Sequence, residues 1–146
     1  MPACLIFNFA NWNLIIMILN RKNVLNELLT RGIEAYLAIP DFAGTDYDIT
    51  VAVNKNCVIR LQIRGTTLEN KSTNNSVDVN GSYDFLIVVV VDNGINRFFI
   101  LSNSEVTTAK GVNVKLSISL GNKVLDSIVQ HENTWNKIKN FPCKDV

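Results

Sequence analysis

A chain of 146 residues, 47% of them hydrophobic, with a mean hydropathy of +0.15, is long and apolar enough to bury a real core, which excludes disorder as its general state. Lys and Arg number 14 against 13 Asp and Glu, a net charge of +1, so any nucleic-acid binding has to come from a local patch. Cys4, Cys57 and Cys143 are odd in number, far apart and without a C-x-x-C pair; they are expected to be reduced thiols of a cytoplasmic protein, not a disulfide framework or a zinc site.

In chain order, residues 3–19 carry no charge and run directly into Arg21 and Lys22, the pattern of a membrane anchor with cytoplasmic basic residues. Asn8, Asn11 and Asn13 interrupt the run, its unbroken apolar part LIIMIL is short, and a signal peptide's basic start and cleavage site are missing. A buried helix is therefore expected, and no membrane role. Leu14, Ile15, Ile18, Leu19, Leu25, Leu28 and Leu29 recur at helical spacing, which predicts one long helix over about 12–31 ended by Gly32. Residues 33–39 form a short β-prone run stopped by Pro40.

The segment 46–64, DYDITVAVNKNCVIRLQIR, reads as two strands around NKN, with Ile49, Val51 and Val53 answered by Ile59, Leu61 and Ile63 on one aliphatic face. Asp46, Asp48, Arg60, Gln62 and Arg64 fall on the other face, where they form either a polar cluster or simply a wetted side. The polar stretch 65–82 predicts a binding loop or mobile flap. Tyr83–Val91 is a nearly continuous apolar run, the mark of a strand covered on both faces, and Arg97–Leu101 is its hairpin partner across Asp92-Asn93-Gly94. A short helix or turn over 102–109, an edge strand over 112–120 and a closing helix over 133–139 with Trp135 and Ile138 in the core complete the chain. His131 lies in a polar stretch and is expected to be solvated. The whole reads as a single domain, 1–146, of the α/β (α+β sandwich) class, with a central mixed β-sheet flanked by helices.

The order of these elements resembles the PD-(D/E)XK nuclease superfamily. Its small members run from a helix ending in ELL-x-R-G, through a strand bearing an aromatic, to an Asp at the head of the second strand and (E/Q)-x-K on the third. Here these stand as Glu27-Leu28-Leu29-Thr30-Arg31-Gly32, Tyr36 with Pro40, Asp48, and Gln62-Ile63-Arg64. Residues 83–88 and 133–138 resemble segments that follow in such proteins, so the likeness spans about residues 20–140. It implies a restriction-endonuclease-like core and a phosphodiester hydrolase, an endonuclease dependent on Mg²⁺ with Mn²⁺ as substitute. A hard divalent cation there neutralises developing charge and activates water. On this resemblance Asp48, Gln62 through its amide oxygen and Ile63 through its peptide carbonyl are the metal donors. Asp48, Gln62 and Arg64 form the catalytic set, and Arg60, Arg64 and Lys71 are the nucleic-acid contacts.

Two positions depart from that pattern. Arg64 stands where the lysine belongs, and a guanidinium stabilises phosphate charge but accepts no proton. The helix register that often presents a glutamate falls near Asn20, Arg21 and Lys22, leaving Asp46, Asp41 or Glu27 as the other available acids. Two functional classes follow: a metal-dependent nuclease with a variant site, and a catalytically degraded module that binds nucleic acid or protein through the same fold. A third is a small structural domain in which Asp48 and Arg64 make only a cross-strand ion pair.

Overall fold

The computed structural model describes residues 9–38, 48–69 and 72–143, with side chains from residue 15 onward. Lys71, Asp41 and Asp46 lie outside these residues, as do residues 1–8. Helix α1 spans Phe9–Thr30. It ends at Gly32, whose φ of 74° is open to glycine at little cost, while Gly32 N and Ile33 N return to the Leu29 and Leu28 carbonyls. Among its described side chains, Val24 and Leu28 are fully buried, whereas Ile15, Ile16, Met17, Ile18 and Leu19 are all exposed. No helix among the described residues is long and apolar enough to cross a membrane.

Strands β1 (Ala35–Leu37), β2 (Ile49–Asn54), β3 (Cys57–Thr67), β5 (Phe85–Asp92) and β6 (Ile95–Ser102) make a mixed sheet in the order β1-β2-β3-β5-β6. β3 and β5 are parallel and every other pair is antiparallel. The crossover between β3 and β5 contains β4 (Asn74–Val77), which leaves the main sheet to pair with β7 (Leu116–Leu120) and, through it, β8 (Lys123–Val124). Helix α2 (Asn103–Lys110) follows β6 directly, started by a capping box of Ser102 and Glu105. Two single turns, α3 (Asp126–Val129) and α4 (Asn136–Lys139), finish the described chain.

β5 lies between two cores, as its unbroken apolar run requires. Phe85, Ile87 and Val89 join Val24, Leu28, Ile49, Ile63, Trp135 and Ile138 on the α1 side. Leu86, Val88 and Val90 join Val77, Phe99, Val106, Leu116 and Ile128 on the α2 side. The chain is thus an α/β protein with a central mixed sheet and flanking helices.

Several sequence expectations need correction. The strand near 112–120 is not an edge of the main sheet: it begins at Leu116 and is the middle strand of the second sheet, while Val112 and Val114 are exposed. The stretch 65–82 is partly structured, holding the end of β3 and all of β4. Cys57 and Cys143 are not reduced thiols but a disulfide with Cα atoms 5.7 Å apart. His131 is not solvated; only 7% of it is exposed.

Candidate functional site

Asp48 immediately precedes β2 and extends its ladder, its N–H donating to the Leu61 carbonyl (2.7 Å) and its own carbonyl accepting from Ala38 (2.9 Å). The residue is 7% exposed. Its Oδ2 accepts a 2.7 Å hydrogen bond from the Ile63 N–H, so the carboxylate continues the β3 pairing just where β2 runs out. Its Oδ1 lies 2.6 Å from Nη2 of Arg21. That contact follows from the register of α1, because residues 21, 24 and 28 share a helix face. The side that buries Val24 and Leu28 also aims Arg21 at the start of β2. Gly65 permits the approach: a Cβ there would fall on the Asn20 amide.

Strand alternation separates the other predicted residues from this pair. Ile63 is level with Ile87 and points to the α1 side, while Gln62 and Arg64 are level with Leu86 and Val88 on the α2 side. Gln62 is 2% exposed and its Nε2 donates to the Asn80 carbonyl at 2.9 Å. Arg64 donates from Nε to the Asp78 carbonyl (3.0 Å) and from Nη1 to the Ile63 carbonyl (3.0 Å). The main chain of Ile63 therefore links the acid and the base, its N–H donating to Asp48 and its carbonyl accepting from Arg64. The cross-strand Asp48–Arg64 pair expected of a purely structural domain is not what forms, since the partner of Asp48 is Arg21. Arg60 is exposed; its backbone N–H donates to Asp84 Oδ2 (2.7 Å), and its Nε lies 3.8 Å from the same oxygen.

The described side chains do not make a fitting divalent-cation site as arranged. Hard cations take several oxygens with net negative charge. Here the one carboxylate is matched by a guanidinium, its second oxygen is taken by a backbone N–H, and the Ile63 carbonyl already accepts from Arg64. Glu27 does not help, because it is engaged by Arg31 one turn on. Among the described residues no three His, Cys, Asp or Glu side chains gather.

Sequence reasoning placed no role on Arg21, although the helix register had pointed to positions 20–22. A second cluster also went unseen. Lys137 Nζ donates to the Ile100 carbonyl (2.9 Å) and lies within 3.1 Å of both Glu105 oxygens. It also sits 2.8 Å from His131 Nδ1. His131 and Glu105 line a cavity of about 410 Å³ with Ser104, Thr108, Ser127 and Gln130. Nothing local in the sequence links residues 105, 131 and 137.

No protein-family model and no curated protein matches the chain. Among solved structures it is similar to a bacterial homing endonuclease, with a TM-score of 0.62 and 15% identity over 84% of this chain and 87% of that one. At that identity the likeness establishes the fold, which is nuclease-like.

Proposed function

We propose that the protein is a nuclease-like module that holds nucleic acid by its phosphodiester backbone without cutting it. The carrying observation is the Arg21–Asp48 pair, which fills the position beside the sole anionic donor of the described site. Arg60 and Arg64, with Lys71 from the segment outside the described residues, are the phosphate contacts, and guanidinium groups suit phosphate oxygens through paired N–H donors. Gln62, on the same face as Arg64, is the buried support of these contacts, while Asp48 fixes the Ile63 N–H from the α1 side of the sheet.

A second reading keeps the activity: with Arg21 withdrawn, the Ile63 carbonyl released by Arg64 and Gln62 turned from its bond to Asn80, the three residues Asp48, Gln62 and Ile63 would hold Mg²⁺ or Mn²⁺, which would supply the Lewis acid for phosphodiester hydrolysis. The fold likeness to a homing endonuclease favours it. Supercoiled plasmid incubated with the protein and either metal separates the two. The binding reading expects no nicking; nicking that disappears in Asp48→Ala establishes the enzyme.

A further inference from the structure

Arg21 stands on the face of α1 that reaches Asp48 at the start of β2, where the resemblance leads one to expect an acid. We infer that Arg21 is the resident cation of this site and that guanidinium and divalent metal exclude one another there. This rests on the reading of β3 about Ile63, whose N–H is held by Asp48 and whose carbonyl is held by Arg64, as the phosphodiester-binding strand.

Three observations carry the inference. Arg21 Nη2 is 2.6 Å from Asp48 Oδ1, so the guanidinium takes one lone-pair direction of that oxygen and its positive charge opposes a second cation brought to the others. The Asp48 side chain is 8% exposed, and a carboxylate so buried requires a compensating charge. Finally, Arg21 Nε is buried without a hydrogen-bond partner, so Asp48 is the guanidinium's one polar anchor among the described residues. The positive charge brought by the helix does the charge-matching that a metal ion does in a hydrolytic site, and does it without an exchangeable ion. Replacing this cation by a neutral or acidic side chain should convert the site from metal-excluding to metal-accepting.

The test is Mn²⁺ titration of the full chain, followed by the electron paramagnetic resonance signal of the unbound ion. Wild type, Arg21→Met and Arg21→Glu are compared, each with and without Asp48→Asn, with circular dichroism to show that each variant is folded. Arg21→Met keeps the aliphatic stem against the sheet and so guards against an unfolded glutamate variant. The expected result is weak or no saturable binding by wild type and a gain of about ten-fold or more in affinity in the Arg21 variants, within the usual range of coupling between competing sites. Asp48→Asn should abolish that gain. Equal Mn²⁺ affinity in wild type and Arg21→Met, or binding in neither variant, overturns the inference. The site reading fails on a different result, namely a wild-type chain that does not bind DNA at low salt.

Discussion

Lys137 Nζ lies 2.8 Å from His131 Nδ1 in a site where only 7% of the histidine is exposed. An ammonium can only donate, so Nδ1 accepts and the imidazole carries its proton on Nε2. Burial pushes the His131 pKa down, Lys137 pushes it further, and Glu105 opposes them. The folded chain thus binds this proton less readily than the unfolded one. The stability the neutral ring contributes is complete above about pH 6.5 and is lost as pH falls from there. For Glu105, burial raises the pKa, but the Ser102 N–H and Lys137 outweigh it and hold it low, so its contribution fades only at more acidic pH. Thermal unfolding from pH 7.5 to 5.5 should show a falling midpoint in wild type and a flatter profile in His131→Gln. Superimposable profiles would count against the buried neutral histidine.

The disulfide between Cys57 and Cys143 closes a separation of 86 residues and ties the end of the described chain to the start of β3. Disulfides typically give about 2–4 kcal/mol of stabilisation, with long loops at the upper end. Denaturant unfolding of Cys143→Ser should show a loss of that size, reproduced in wild type by a reductant. A variant as stable as wild type would show that the bond does not constrain the fold.

Ile87 is fully buried at the centre of β5, whereas Val58 on β3 is 59% exposed. Ile87→Ala should therefore cost about 2–5 kcal/mol through lost packing and a residual cavity, and Val58→Thr less than about 0.5 kcal/mol. Comparable losses at the two positions, measured by urea unfolding, would contradict the two-sided burial of β5.

The elements legible in the sequence were those whose signal is local. The unbroken run of β5 required cover on both faces, the β2–β3 alternation placed Ile49, Leu61 and Ile63 in the core, and Gly32 marked the end of α1. What stayed hidden depends on chain segments far apart. The β4–β7 pairing joins residues 74–77 to 116–120, and the Cys57–Cys143 bond needs the tail to return to β3. The Arg21–Asp48 contact is set by the docking angle of α1, which periodicity alone does not supply. Strand alternation did place Gln62 and Arg64 on a common face, but not the turn of both side chains toward the carbonyls of Asn80 and Asp78.

Phosphate binding without a metal can be read from the affinity of the wild-type chain for a labelled DNA duplex in EDTA as salt is raised. Binding should survive chelation and weaken steeply with salt, with the log–log slope reduced by roughly 2 in Arg60→Ala/Arg64→Ala, about 0.9 for each phosphate contact removed. Binding that appears only when Mg²⁺ is added, or an affinity indifferent to both salt and the double substitution, would contradict it.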